Sequence, residues 1–456
     1  MTDVLDQLST HLEVVRHVLQ PLYEKSSRIA GLIKSKGETT TISRYLYRIP
    51  IEKYPGGAFS KYSADGGGLG KGHSLSTTHL TAGYFYSNLA FRLTQEQVET
   101  TSGGNQSIID LMNTELARGI ETYQIHDDIT LHTDGTGQLT NESSDTTAAA
   151  NSTMTFAGLT DTLGVNRLRP GMTVEVWDAT GATKRTTVSG EVPIIIGINT
   201  SSKVVTLNEN VSGLVDTDIL AFVGMDAYGP SPLTSFSSSW PTAPSSQVAA
   251  GLGGDSFRHG IYYVNDNTAS NYYLGVQKSD VPELLPAYVS GNSAALDYSM
   301  AHKIFTQLQQ RRDGDSINTK SGLMGIMHMK QREQLFNIGV SIVSRDVNGS
   351  EFGTMPDLLP SNHNYMDTVD FGGIMMYISK RQYEDRVDFV NFDNWGRAQV
   401  KDIDYFTRLD GSKFFEGRNS SGGVTAEYSW FLTCAMDWYC VDPGSQGYID
   451  SLAVPA

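Results

Sequence analysis

Asn105-Gln106-Ser107-Ile108-Ile109-Asp110-Leu111-Met112-Asn113-Thr114-Glu115-Leu116-Ala117-Arg118-Gly119-Ile120-Glu121-Thr122-Tyr123-Gln124-Ile125-His126-Asp127-Asp128-Ile129-Thr130-Leu131-His132 reads as one long amphipathic helix. Ile108, Met112, Leu116 and Ile120 fall on one stripe, which Tyr123, Ile125 and Ile129 extend, at the spacing of a helix with one buried face. Ser107 and Asp110 give a weak capping signal at the start, and Asp134-Gly135-Thr136-Gly137 ends the segment. Roughly 28 residues rising about 1.5 Å each make a rod of roughly 40 Å, long for a compact domain. No catalytic motif lies near it. A stiff rod beside a long extended loop suits a part that builds something better than one that converts a substrate.

Upstream, residues 39 to 54 are strand-like, through Thr41, Ile42, Tyr45, Leu46, Tyr47 and Ile49. Residues 55 to 83 contain Pro55-Gly56-Gly57 and Gly66-Gly67-Gly68-Leu69-Gly70-Lys71-Gly72, a stretch too long and glycine-rich for an ordinary connection. Strand-like sequence resumes from Tyr84 to Leu93. Strand, flexible tip and strand together predict a long extended hairpin. Before it, Leu5, Leu8, Leu12, Val15, Leu19 and Leu22 recur at helix spacing, with Pro21 expected to kink or split the segment.

Downstream, residues 138 to 158 are polar and low in complexity. Short strands at Met172 to Trp177, Ile194 to Ile198, Val204 to Leu207 and Ile219 to Val223, with turns such as Pro170-Gly171 and Ser189-Gly190, predict a small barrel or sandwich over about 160 to 225. Gly229 to Ser246 reads as a Ser/Pro-rich linker or strap. From Asp255 the pattern is mixed. A helix is expected over Ala294 to Arg312, strands at Gly322 to Met329 and Gly372 to Ile378, and a short helix at Gln331 to Ile338.

The 456 residues carry a formal net charge of −16, which argues against nucleic acid as the main ligand, since phosphate contact needs a basic footprint. No apolar run approaches the roughly 20 residues of a membrane helix. Met1 to Gln7 has neither a basic start nor an apolar core, so synthesis and folding in a cytoplasm are expected. The two cysteines, Cys434 and Cys440, lie in a stretch whose even positions from Tyr428 to Cys440 form one apolar face. Along a strand they stand about 20 Å apart, too far for a bridge, so two buried thiols are expected.

Candidate chemistry is thin. Gly66 to His73 resembles a phosphate loop only superficially: Asp65 stands where the first glycine is required, and Gly72 follows Lys71. His126 and His132 are six apart, on different helix faces, without a third ligand at sensible spacing. No nucleophile elbow or zinc-protease motif occurs, and no repeat of any period. Neither cofactor nor metal nor catalytic residue is expected. Lys61 and Lys71, near the glycine tip, are solvated lysines or contacts to another subunit.

This order of parts, with Arg169-Pro170-Gly171-Met172-Thr173-Val174 opening the inserted module, resembles the major capsid protein of tailed bacteriophages, with the Hong Kong 97-type (HK-97-like) fold. The resemblance covers nearly the whole chain as architecture. It implies an α+β fold with N-terminal arm (1–44), extended loop (45–100), spine helix and start of the peripheral domain (101–159), inserted β domain (160–228) and linker with peripheral domain (229–284). An axial domain (285–385) and an axial/peripheral segment with the C-terminal strand (386–456) follow. It implies self-assembly into hexamers and pentamers of an icosahedral head around double-stranded DNA, in a virion assembled in the host cytoplasm. Gly66, Gly67, Gly68 and Gly70, with Lys61 and Lys71, are then assembly contacts. The chain lacks a long charged coiled-coil extension, so scaffolding is expected from a separate protein. A portal, a decoration protein and nonspecific inner-face contact with DNA complete the expected partners. An encapsulin-like compartment shell is the alternative, which the inserted module and the length count against.

Overall fold

Strands dominate this α+β chain. The computed structural model describes residues 38–41, 47–54, 74–94, 119, 122–123, 125–133, 135, 137–140, 143, 150–156, 165–178, 183–215, 217–224, 258–311, 323–335, 368–371, 374–407, 412–413, 415–418 and 424–455. In chain order the strands are β1 (Glu38–Thr41), β2 (Tyr47–Tyr54), β3 (Ser76–Ala82), β4 (Phe85–Thr94), β5 (Ala150–Thr155), β6 (Glu175–Trp177), β7 (Thr186–Thr187), β8 (Ile195–Asn199), β9 (Val204–Ser212), β10 (Ile219–Ala221), β11 (Tyr272–Tyr273), β12 (Val276–Gln277), β13 (Ala287–Ser290), β14 (Leu323–Met327), β15 (Thr368–Phe371), β16 (Ile374–Ile378), β17 (Val387–Asn391), β18 (Trp395–Tyr405), β19 (Phe415–Arg418), β20 (Val424–Cys440) and β21 (Gly447–Asp450). The helices are α1 (Ile261–Val264) and α2 (Tyr298–Arg311), together with helical residues 119, 122–123, 125–131 and 329–335, the last overlapping the short helix expected from Gln331. Residues 105–118, the first half of the expected long helix, lie outside the described residues, as do the expected N-terminal helix and the 229–246 strap.

Two compact units emerge. The first contains the described residues of Gly83–Leu131 and Gly396–Trp438, with β1. Its sheet runs β1-β18-β20-β19, and β4 adds to the other side of β20. From Trp430 to Cys434 β20 keeps the predicted alternation, with Trp430, Leu432 and Cys434 buried and Phe431 and Thr433 half-buried; from Cys434 to Cys440 both faces are buried. Phe91 of β4 sits opposite Trp430 and stacks on it, centroids 5.1 Å apart and planes 11° from parallel. Helical Gly119 lies on that ring, and a Cβ there would run into Phe91. Ser87 Oγ and Tyr123 Oη, 2.5 Å apart, tie the same helix to β4. Gly119→Val is therefore expected to cost about 1–3 kcal/mol by overpacking, read as a lower denaturation midpoint. An unchanged midpoint would mean the helix does not seat on Phe91.

The second unit holds Tyr47–Ala82, His132–Trp395 and Tyr439–Ala456. Its centre is a six-stranded sheet, β13-β21-β17-β14-β16-β15. One face is apolar: Val289, Met327, Met376, Val387, Phe389 and Ile449 pack with Ala301, Ile304 and Leu308 of α2. The helix begins at Tyr298, four residues later than predicted, with Leu296 buried ahead of it. Gly325 leaves room for the Met376 thioether, which a Cβ would strike.

Two sequence readings need correction. The strand that pairs with β2 is β3, in register Tyr47 with Ala82 and Ile49 with Leu80. Tyr84 to Leu93 does not close the hairpin; as β4 it pairs with β20. Residues 39 to 54 also split, because β1 pairs in parallel with β18. The second correction concerns the inserted module. Ala150–Thr155, read as low-complexity, is β5 and pairs with β9. Leu139 donates its N–H to Leu220 O at 2.8 Å, so the module's pairing begins well before residue 160. Its buried acids are satisfied. Asp218 takes a two-point contact from Arg185, and Glu175 accepts from Lys184, Trp177 and the Gly224 N–H.

Candidate functional site

The first element, the long hairpin, pairs only with itself among the described strands. It is a two-stranded ribbon. Pro50 fits in β2 because such a ribbon leaves half of its N–H groups without a ladder partner. At its base Ile49, Leu80 and Ala82 are buried, and Thr81 donates its N–H to Leu274 O at 2.8 Å. Leu274 (φ 45°) and Gly275 (φ 87°) form the tight turn between β11 and β12. Positive φ at both central residues matches the right-handed twist of a hairpin. A leucine there costs on the order of 1 kcal/mol. It is held by its buried side chain and by donating its N–H to Tyr263 Oη at 3.0 Å. Tyr273 Oη donates to Cys440 O and accepts from the Cys440 N–H, both at 2.8 Å, which holds this turn to Cys440 within the second unit. Lys53 and Asp280 add an exposed ion pair at 3.6 Å, a small contribution. Lys61, Gly66, Gly67, Gly68, Gly70 and Lys71, the assembly contacts predicted near the tip, lie outside the described residues.

The second element is a groove on the first unit. On β4, Phe85, Ser87, Leu89 and Phe91 are half-buried, while Tyr86, Asn88, Ala90 and Arg92 are exposed. The opposite face of this sheet therefore carries a different surface. Tyr86, Asn88, Phe406, Phe415, Phe431 and Thr433 line a mainly apolar depression of about 470 Å³. Phe415 packs edge-on against Phe431 at 5.2 Å and lies 5.7 Å from Phe406. Tyr86 is 70% exposed and Phe406 44%, so the depression presents aromatic surface to solvent.

The third element is internal. The second face of the six-stranded sheet is buried but polar. Asp388 of β17 accepts two hydrogen bonds from Arg386, at 2.9 and 3.1 Å, one from Asn265 at 2.8 Å and one from Gln382. The Arg386 guanidinium lies between the rings of Tyr262 and Tyr448, 3.9 Å from each centroid. Burial opposes its charge, but the Asp388 carboxylate more than offsets that and raises its pKa. Arg167, from the turn ahead of β6, reaches the same cluster: it lies 4.9 Å over Tyr383 and donates to His132 O. Glu384 accepts from Lys330 at 3.0 Å and Asn166 at 3.3 Å. The inserted module and the six-stranded sheet are thus joined through buried charge. None of this was visible in sequence, because its members lie up to 218 residues apart.

The chemical candidates do not converge. His132 is fully buried, and burial first, then the nearby Arg167 charge, pushes its pKa down to about 3. It holds no second histidine in a ligand set, and among the described residues no cluster of three potential metal ligands occurs. Cys434 and Cys440 are buried free thiols, and burial raises the Cys440 pKa. No described helix is long and apolar enough to cross a membrane.

No family model matches the chain, and no curated protein matches it. Solved structures do. The capsid asymmetric unit of cyanophage A-1(L) aligns over 94% of this chain and 93% of that one, at 11% identity and a TM-score of 0.46. The capsid of a native GTA particle aligns over 92% and 90%, at 7% identity and 0.42. The procapsid of satellite phage P4, which includes a size determination protein, aligns over 96% and 91%, at 9% identity and 0.41. Similarity at this level assigns no role to any residue here.

Proposed function

We propose that this chain is the major capsid protein of a tailed phage, with the HK-97-like fold, and that it self-assembles into hexamers and pentamers of an icosahedral head around double-stranded DNA. The observation that supports this best is the β2–β3 ribbon. Its base is pinned by the Thr81 N–H to Leu274 O hydrogen bond and the Lys53–Asp280 ion pair, yet it pairs with no third strand among the described residues. An isolated two-stranded ribbon is marginal in water. It gains stability by burying surface on a neighbour, and heterologous contacts of that kind close into rings. On this reading residues 1–44 are the N-terminal arm and 47–82 the extended loop, with 85–94 returned to the sheet of β20. The spine helix lies ahead of residue 132, and the inserted domain takes in Leu139 and β5 ahead of 160–228. Residues 229–284 are linker and peripheral domain, 285–385 the axial domain and 386–456 the segment with the C-terminal strand. The role is structural and not catalytic. Scaffolding, portal and decoration proteins are its partners, with nonspecific DNA contact on the inner face. An encapsulin-like shell would use the same ribbon but has less need of the inserted module.

The test is negative-stain imaging and mass measurement of the chain expressed with and without its neighbouring genes. Uniform closed shells or capsomer rings are expected, with DNA inside particles from infected cells. A monodisperse monomer under every assembly condition would sink the proposal, and shells that hold protein cargo instead of DNA would favour the compartment reading.

A further inference from the structure

Asp266, Asn271 and Lys278 form a buried group beside the β11–β12 hairpin. The hairpin register sets two of them side by side. Tyr272 pairs with Gln277 and Tyr273 with Val276, so Asn271 and Lys278 are the next cross-strand pair, and the Lys278 N–H donates to Asn271 O at 2.9 Å. The Cβ atoms of such neighbours stand about 4.5–5.5 Å apart. Asp266 bridges their side chains. Its Oδ1 accepts the Thr268 N–H at 3.0 Å. Its Oδ2 accepts from Asn271 Nδ2 at 2.8 Å and from Lys278 Nζ at 3.3 Å, and Lys278 Nζ also donates to Asp266 O. The Tyr273 ring centroid lies 5.9 Å from the same nitrogen.

A buried lysine is satisfied by its carboxylate and has no need of a primary amide on the same oxygen. Asn271 Oδ1 is buried and accepts no hydrogen bond among the described residues, a cost that calls for a reason. Burial lowers the Lys278 pKa, with the Asp266 charge opposing the shift, which brings the free amine, the nucleophilic form, within easier reach. Amine, amide and proton carrier are held together away from water, so the reaction is unimolecular and hydrolysis is suppressed. We propose that Lys278 and Asn271 join in an isopeptide bond that the chain forms by itself, with Asp266 carrying the protons. Nζ attacks Cγ of Asn271, the Cγ–Nδ2 bond breaks, and Asp266 Oδ2 relays two protons from Nζ to Nδ2. A lysine ammonium and a primary amide become a secondary amide and an ammonium ion, so atoms and charge balance with no oxidant or added reactant. The bond closes residues 271–278 into a ring around the Leu274–Gly275 turn, whose Leu274 O holds the Thr81 N–H of the ribbon. The seat of the β2–β3 ribbon is then covalent. This does not require the capsid reading, since every group belongs to one subunit.

Peptide mass mapping of the full folded chain tests it. Trypsin is expected to spare Lys278 and to release residues 259–303 lighter than their sequence by one ammonia. Chymotryptic cleavage after Tyr272 or Tyr273 is expected to leave the fragments bearing Asn271 and Lys278 joined. Lys278→Arg is expected to abolish the joined species, and Asp266→Asn, close in size but unable to relay protons, to lower it about tenfold or more. Hydrogen exchange of β17 is the control for folding of each variant, and the unmodified chain decides by itself where a variant fails that control. Separate fragments at their sequence masses overturn the proposal. Loss of ammonia without joined fragments overturns it too, because that is a succinimide at Asn271. Joining with loss of water moves the bond to Asp266, and joining undiminished in Asp266→Asn denies Asp266 the relay; each overturns the assignment.

Discussion

Asp388→Ala is expected to destabilise the second unit by about 3–5 kcal/mol, the cost of leaving a buried charge without its partner. The geometry gives the reason. Arg386 is enclosed by the Tyr262 and Tyr448 rings, and its remaining donor contact is the Asn265 carbonyl at 3.1 Å. Without the carboxylate the guanidinium, only 8% exposed, has little water to replace it. Asn265 and Gln382 would lose their acceptor as well. Replacing both partners, Arg386→Met with Asp388→Leu, is expected to cost less than either single change, because no charge is left stranded. Urea unfolding, followed by tryptophan fluorescence, measures all three variants and the coupling between the sites. A midpoint for Asp388→Ala within error of the unmodified chain would show that the pair is solvated and not a keystone.

The elements that sequence disclosed well are those whose signal is local. The strand expected over Tyr428 to Cys440 is present; its burial alternates from Trp430 to Cys434, and beyond that both faces are buried. Residues 125–131 are helical within the predicted long helix. Ile219–Ala221 and Leu323–Met327 fall inside the predicted strands, and Ile195–Asn199 overlaps the one predicted from Ile194 to Ile198. Partner choice was not legible. Tyr84 to Leu93 announces a strand, but nothing local says that Phe91 will stack on Trp430 rather than face β2. Ser76-Thr77-Thr78-His79 looks like part of a polar tip, and it becomes a strand because Leu80 and Ala82 are buried at the ribbon's base. Ala150–Thr155 was hidden in the same way, its pairing being supplied by β9. The groove and the Arg386 cluster are products of convergence, which no spacing rule encodes. The predicted assembly residues around Gly66 and Lys71 carry a composition signal alone, and they stay a proposal.

His132→Gln is expected to remove a large part of the chain's sensitivity to acid. The imidazole is buried, with Nε2 3.1 Å from Ser379 Oγ. Its pKa in the folded chain is about 3, lowered by burial and then by Arg167, with Gln382 opposing the shift. In the unfolded chain a histidine titrates near about 6.5. Between those values the unfolded state binds the extra proton, so folding stability is full above about pH 6.5 and falls as the pH drops toward 3. The slope is about 1.4 kcal/mol per pH unit. The whole shift is worth on the order of 5 kcal/mol, comparable with the stability of a typical domain. Glutamine is close in size, keeps a hydrogen-bonding group toward Ser379 and cannot be protonated in this range. The measurement is the urea midpoint of both proteins between about pH 7 and pH 4, taken as a difference so that His328 and Glu384, which also titrate abnormally, cancel. The two curves should diverge steadily below about pH 6.5, with the variant losing less. Parallel curves would mean that the folded chain can hold His132 charged. Because Arg167 joins the module's turn to His132 O and to the Tyr383 ring, protonating this histidine sets like charges against each other at that joint. Acid is therefore expected to loosen the attachment of the module before it unfolds the apolar face of the six-stranded sheet, where Val387, Phe389 and Ile449 carry no titrating group.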